Sequence, residues 1–188
     1  MSYLSNEGDS LKKPCIEYDC KFERSKLERI KLRQDYDDDS HREKKAPVFT
    51  NEGIEGLFYV EDAFRKVARQ LAFEDLQLFD QWEEVLQDNA SEKWDTQTAA
   101  IPDANKTTAR FNMEMSAFYL KYCDDDARDT EVEYLSKIKK QKKTDPHEFS
   151  DRMETLYRYA NRLPGSATRV NADDTKKRIF KGFSAYHQ

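Results

Sequence analysis

Apolar residues recur at intervals of three and four along most of the chain after residue 46, which is the spacing of amphipathic α-helices. The first such stripe runs from Leu57 to Leu71, and a second runs from Leu76 to Leu86. No segment shows a clear alternation of apolar and polar residues of the kind that a half-buried strand requires. The pattern therefore predicts an all-α protein with about seven helices.

Polar capping pairs predict where the third and fifth helices begin. Asn89 followed by Glu92 is typical of an N-cap with its reciprocal acid, so we expect a short third helix that runs through Trp94. Thr130 and Glu133 form a second pair of this kind at the start of the fifth helix. Between them, a stripe of apolar residues predicts a fourth helix: Phe111, Met115, Phe118, Tyr119 and Tyr122.

The clearest helix start in the sequence is Asp145 followed by Pro146. An aspartate accepts hydrogen bonds from the free N–H groups of the first turn, and proline fits the first helical position. Asn171 or Asp173 is expected to cap a last helix, which holds three apolar residues on its inner side: Ile179, Phe180 and Phe183.

Residues 1–46 resemble a polar arm rather than a domain. A thin apolar stripe between Asp19 and Arg33 predicts at most one short helix there, and the arm is expected either to dock on the helices or to be disordered. The polar run around residues 124–130 predicts a linker. These breaks divide the helical part into an N-terminal lobe at 47–123 and a C-terminal lobe at 131–188.

Charge is strongly segregated, although the whole chain carries a net charge of only -5. Residues 1–46 are balanced, residues 47–136 carry 8 basic and 20 acidic side chains, and residues 137–188 carry 13 basic and 6 acidic ones. Such a chain favours head-to-tail association of copies, or contact of the basic end with a polyanion. The plain alternative is that helical surfaces are simply rich in charge.

Motifs that resemble catalytic sites lack the context that catalysis needs. Gly8–Leu11 spells the nucleophile block of a lipase family, but it lies in the polar arm with no strand before it. Two Y-x-D-D matches, at residues 36–39 and 122–125, lack the hairpin and the bulk of a polymerase. We therefore expect no catalytic residues and no enzymatic activity.

Metal and cofactor sites are not expected either. The three cysteines are odd in number and have no framework spacing, and the three histidines show no ligand spacing with them. The N-terminus is polar, and no apolar run is long enough to span a membrane. These features predict a cytoplasmic protein without a metal, a cofactor or a membrane contact.

Several short motifs follow one another in the helical part. The segment 86–94 keeps the Leu, Ala and Trp of L-x-G-x-A-x-x-W, although Asp88 or Asn89 replaces the glycine. Aromatic residues of the fourth helix come next, then Leu135, Ile138 and Gln141, then Phe149 and Arg152, and finally Phe180, Gly182 and Phe183. In this order and spacing, residues 47–188 resemble the capsid region of Gag proteins of long-terminal-repeat retrotransposons.

The resemblance implies a retroviral-capsid type of fold, with two small helical lobes behind the polar arm. It implies self-assembly through pentamer- and hexamer-type rings into a shell that encloses the RNA of the element, with no small-molecule substrate. In this interpretation Gln141 is a buried amide and Arg152 a buried guanidinium that hydrogen-bond across the C-terminal lobe, although both could instead be surface residues. The residues expected to stabilise the fold are Leu86, Ala90, Trp94, Gln141, Phe149 and Arg152.

A cluster of lysines could face the enclosed RNA, and it could equally be a solvated helix end favoured by the helix dipole: Lys137, Lys139, Lys140, Lys142 and Lys143. Two other functions remain open. One is a host-adopted, Gag-like helical adaptor that binds a protein partner through the acidic lobe. The other is an RNA-binding module that uses the basic C-terminal half, against which stands the acidic sequence pI of about 5.4.

Overall fold

The computed structural model describes residues 13–19, 23–35 and 40–183. The lipase-like block at 8–11, the first Y-x-D-D match, Cys20 and His187 lie outside these residues. Within them the chain is mostly helical, as predicted. Its α-helices are α1 Gly53–Leu71, α2 Leu76–Val85, α3 Asp88–Thr98, α4 Thr108–Tyr119, α5 Ala127–Lys137, α6 Pro146–Ala160 and α7 Ala172–Phe183.

A two-stranded antiparallel sheet precedes the helices and was not predicted. It pairs β1 Arg29–Asp35 with β2 His41–Pro47. The short helix expected between Asp19 and Arg33 is therefore wrong over β1. The inward positions of β1 alternate around Leu32, which is 1% exposed, but β2 is exposed over its first five residues and offers no apolar alternation to detect.

The described parts of the arm dock against α1. Leu32 and Ala46 of the sheet are buried in the same core as α1, and β2 extends through Pro47, one residue past the expected end of the arm. Phe49 continues this contact, because its N–H donates to the Val85 carbonyl at 2.9 Å and its own carbonyl accepts from Gln87 at 3.0 Å. The division of the helices into two lobes stays a prediction.

Two of the predicted helix starts are confirmed. The Asp145 carboxylate accepts from the backbone N–H groups of His147 and Glu148 at 2.8 and 3.1 Å, with Pro146 at the first position. At α7 the Asn171 side chain accepts from the N–H of Asp174 at 2.8 Å. Local chemistry alone fixes these two starts.

The other two predicted starts are wrong by a few residues. Asn89 lies inside α3, which begins at Asp88, and Thr130 lies inside α5, which begins at Ala127. The start of α5 is held by a distant loop, since Asp129 accepts from Ser166 N at 2.9 Å and Arg128 donates to the Leu163 carbonyl at 2.9 Å. No local capping pattern could have shown these tertiary contacts.

The inner face of α7 also differs from the prediction. Ile179 is buried, whereas Phe180 is 77% exposed and points away from the core. Gly182 lies so close to Phe149 of α6 that a Cβ atom there would be 2.8 Å from the ring. The glycine therefore allows α6 and α7 to approach. None of the helices in the described residues is long and apolar enough to cross a membrane.

Candidate functional site

The five lysines predicted to face RNA do not form one surface. Lys137 is exposed and pairs with Glu133 on the same helix at 2.5 Å, while Lys142 and Lys143 are exposed in the turn that leads to α6. Lys140 is half-buried, and its ammonium donates to the backbone carbonyl of Gln141 at 3.1 Å. Lys139 lines a groove together with cations from another element.

This α5–α7 groove has a volume of about 460 Å³. It is lined by Ser136, Lys139, Asp174, Lys177, Arg178 and Lys181. Four cations therefore surround one carboxylate, that of Asp174. The Asp174 carboxylate lies 3.5 Å from the Lys177 ammonium. Three of the cations come from one face of α7, because residues 177, 178 and 181 are neighbours on a helix at spacings of three and four.

Backbone contacts hold Lys139 against α7. The Lys140 N–H donates to the Gly182 carbonyl at 3.1 Å, and the Lys139 ammonium donates to the Lys181 carbonyl at 3.3 Å. Both contacts need the close approach at Gly182. The glycine that the sequence shares with the capsid motif therefore also shapes the groove.

Cations dominate the lining of the groove. Beneath it the Arg178 guanidinium lies 5.9 Å from the centre of the Tyr157 ring, and burial raises the pKa of that phenol, so it stays neutral at physiological pH. In the described residues no group of three or more His, Cys, Asp or Glu side chains is arranged to hold a metal ion. What the groove offers is a set of cations that can contact phosphate groups.

The residues of the first motif lie in the core. Leu86, Ala90 and Trp94 are each at most 3% exposed. Trp94 contacts a cluster of rings from α2 and α4, with centroid distances of 6.0 Å to Phe79 and 5.4 Å to Phe118. All three side chains are therefore part of the buried core.

Arg152 stabilises the fold, but not with the partner that was predicted. Its guanidinium pairs with the Glu55 carboxylate of α1 and donates to the backbone carbonyls of Glu17 and Tyr18, at 2.9 and 3.4 Å. Gln141 is exposed, so the expected hydrogen bond across the C-terminal lobe between a buried Gln141 amide and Arg152 is wrong. The reason is that Gln141 falls in the loop between α5 and α6, whereas Arg152 faces α1 and the docked arm.

Phe149, the remaining motif residue, is fully buried. Its ring packs at 5.0 Å from Phe183 and 5.8 Å from Tyr18, so it joins α6 to α7 and to the arm.

Buried carboxylates on two apolar stripes were missed. Glu61 of α1 is 1% exposed and accepts from Arg65, Arg162 and the Tyr119 hydroxyl. Glu131 of α5 is fully buried and accepts from the Ile16 N–H at 3.2 Å. Burial raises the pKa of Glu131 to about 7. The sequence did contain a signal for these buried carboxylates, because each lies four residues from an apolar residue on the inner face of its helix.

Burial also raises the pKa values of the two described cysteines. Burial raises the pKa of Cys15 to about 11 and that of Cys123 to about 12, so both are thiols rather than thiolates at neutral pH.

Comparisons with known proteins leave the family open. No protein-family model matches the chain, no curated protein matches it, and no solved structure matches it. The residues that line the α5–α7 groove and their charges therefore carry what can be inferred about function.

Proposed function

We propose that this chain is a structural protein of capsid type, which assembles with copies of itself into a shell around RNA in the cytoplasm. The fold in this proposal is the two-lobed arrangement of retrotransposon Gag capsids. The role is assembly rather than catalysis. The observation that carries the proposal is Phe180, a large aromatic side chain left 77% exposed on the basic helix α7.

An exposed ring on a charged helix is costly unless another surface covers it, because apolar area gains about 25 cal/mol per Å² when it is removed from water. Lys176, Lys177 and Lys181 lie on the same helix. A surface that covers Phe180 would therefore be apolar with negative charge around it.

The acidic part of the chain offers such a surface. Met113 of α4 is 63% exposed and Leu120, at the end of α4, is 49% exposed. The exposed residues Asp124 and Asp125 follow four and five residues after Leu120, beyond an exposed lysine, Lys121. Apolar contact between α7 of one copy and α4 of the next, with opposite charges around it, gives a head-to-tail arrangement that closes into rings.

The α5–α7 groove supports the RNA part of the proposal. It contains four cations, from α7 and from the residues that follow α5: Lys139, Lys177, Arg178 and Lys181. Cations of this kind contact the phosphate backbone without reading its sequence, which is what enclosure of a long RNA requires.

The test is to measure the mass of the assembled protein by light scattering after size-exclusion chromatography, with electron micrographs of the heaviest fraction. The chain is measured at low and high salt, with and without RNA. We expect uniform megadalton particles that dissociate as salt screens the opposite charges. Phe180→Glu should stay folded, since the ring is exposed, and should remain a monomer or small oligomer.

The matched control is Gln141→Glu, which adds the same charge to an exposed polar residue of the same basic segment. It should still assemble. A chain that stays a single copy at every salt concentration and after RNA is added would contradict self-assembly and favour the adaptor function. Particles that form from the Phe180 variant as readily as from the unchanged chain would show that α7 makes no contact.

A further inference from the structure

A second groove, between α1 and α6, concentrates positive charge without having been predicted from the sequence. This α1–α6 groove has a volume of about 480 Å³, within the usual range for ligand sites. Its lining consists almost entirely of charged side chains: Glu61, Asp62, Arg65, Lys66, Arg69, Arg158 and Arg162.

The two carboxylates are already engaged by three of the guanidinium groups. Arg162 pairs with Glu61 and, at 2.8 Å, with Asp62, while Arg65 pairs with Glu61 at 2.6 Å. Arg158 lies 3.5 Å from Asp62. Five cations face two anions, so the groove carries an excess of three positive charges.

Two cations have no such partner. In the part of the chain that the structure describes, no carboxylate lies within 4.0 Å of Lys66 or Arg69, and both side chains are exposed. Arg69 follows Arg65 by one helical turn on α1, and Arg162, in the turn after α6, follows Arg158 of α6 by four residues. Like charges at this spacing repel one another, and an anion between the two rows would relieve that repulsion.

The side chains of the two rows, Arg65 with Arg69 and Arg158 with Arg162, indicate which kind of anion fits between them. Guanidinium groups present a rigid fork of N–H donors that matches phosphate oxygens, and a lysine adds a point charge of the same sign. The pairs with the buried Glu61 hold Arg162 and Arg65 in place, and the partly exposed Asp62 also holds Arg162, so little freedom is lost when a ligand binds.

We propose that the α1–α6 groove binds a ligand that carries two or more phosphate groups. Such phosphates occur in a free polyphosphate and in an RNA backbone, and the groove recognises what the two share. The inference goes beyond the proposed function, because phosphate binding at α1 and α6 does not depend on contacts between copies.

The test is isothermal titration of the full chain with inorganic tripolyphosphate, followed by titration with a short single-stranded oligoribonucleotide. The variant is Lys66→Gln with Arg69→Gln, two exposed residues whose replacement should leave the thermal melt unchanged. The control is Lys44→Gln with Lys45→Gln, which removes the same charge from the exposed strand β2. We expect the groove variant to weaken tripolyphosphate binding at least tenfold and the control to change it less than twofold.

The two sources of phosphate are separated by competition. If the oligonucleotide displaces tripolyphosphate, and the groove variant weakens both, the ligand is a nucleic acid backbone. If only tripolyphosphate binds there, the ligand is a small molecule. No binding by the unchanged chain, or equal losses in the groove variant and the control, would overturn the proposal. Particle assembly of the groove variant, measured separately, distinguishes this failure from failure of the capsid function.

Discussion

Helix α1 makes two contacts of different kinds. Towards α2, α3 and α4 it packs into an aromatic cluster, formed by Phe64, Phe79, Trp82, Trp94, Phe111 and Phe118. Towards α6 it presents carboxylates, and the contact is a charged seam formed by Glu61, Asp62, Arg65 and Arg162 together with Tyr119. The first contact gains from removing apolar area from water, whereas the second must overcome the cost of desolvating ions.

The difference has a consequence for how each contact fails. A cluster of rings loses stability in proportion to the volume removed. A buried ion pair loses little when both partners are replaced together and much when one is left alone. Single and double substitutions should therefore separate the two contacts.

The largest effect is expected from Trp94→Ala in the aromatic cluster. Trp94 is 1% exposed and contacts rings on both neighbouring helices. Its removal leaves a large cavity and should lower the free energy of unfolding by about 5 kcal/mol, the upper end for such substitutions. Urea denaturation followed by circular dichroism measures the loss.

A conservative replacement provides the control for this effect. Trp94→Phe keeps most of the ring contacts and should lose well under half as much. Equal losses for the two variants would mean that the indole ring, rather than the filled volume, determines the stability of this contact.

The charged seam should respond less to a single change and should partly recover after a second. Arg162→Met leaves Glu61 with Arg65 and Tyr119 only, and is expected to lower the free energy of unfolding by about 3 kcal/mol. Adding Glu61→Gln should restore part of that loss, since the buried carboxylate that lost one of its two guanidinium partners is then neutral. The same denaturation experiment on the single and double variants measures the coupling.

Arg158→Met is the matched control for the seam. It removes the same type of side chain four residues earlier, from the last turn of α6, but Arg158 is 61% exposed and lies 3.5 Å from Asp62. We expect Arg158→Met to change the free energy of unfolding by at most about 0.5 kcal/mol. Additive effects of the Arg162 and Glu61 changes would show that the seam contributes through packing alone.

These two contacts also explain how much of the structure the sequence could predict. The aromatic cluster follows the three- and four-residue spacing of its own helices, so α1 to α4 and their buried residues were predictable. The seam and the Arg152 contacts join residues about 100 positions apart, and no local pattern reports them. Gln141 shows where such prediction fails. Its match to the family motif predicted a buried residue, whereas the structure places it exposed in the loop between α5 and α6.

The candidate sites divide in the same way. The lysines near the end of α5 were visible in the sequence as a run of charge. The contacts that Lys139 and Lys140 make with α7 depend on Gly182 and on backbone hydrogen bonds, which the sequence does not show. The α1–α6 groove joins two cation pairs that are each ordinary on their own helix. Only the packing of α1 against α6 makes them one surface.

Glu131 provides a pH-dependent test, and it distinguishes a buried carboxylate without a cation from the paired ones of the seam. Desolvation raises the pKa of Glu131 in the folded chain to about 7, with Glu55 acting in the same direction and Arg152 against it. The unfolded chain has a pKa near 4.5, so folding favours the protonated form. The contribution of this group to stability is therefore fully present below about pH 4.5, falls as the pH rises to about 7, and is constant above that.

Glu131→Gln removes this dependence while keeping an oxygen that can accept from the Ile16 N–H. The stability of the variant relative to the unchanged chain should rise across that pH range by a total on the order of 3.5 kcal/mol, since the pKa differs by about 2.5 units between the folded and the unfolded chain and each unit corresponds to about 1.4 kcal/mol. Denaturation midpoints at a series of pH values from 4 to 8 measure the gain. Glu133→Gln, an exposed residue of the same helix, should show no comparable rise. A stability difference between Glu131→Gln and the unchanged chain that is the same at every pH would mean that Glu131 stays ionised in the folded chain. The contact between Glu131 and the docked arm would then accommodate a buried carboxylate without a cation, unlike the ion pairs of the seam.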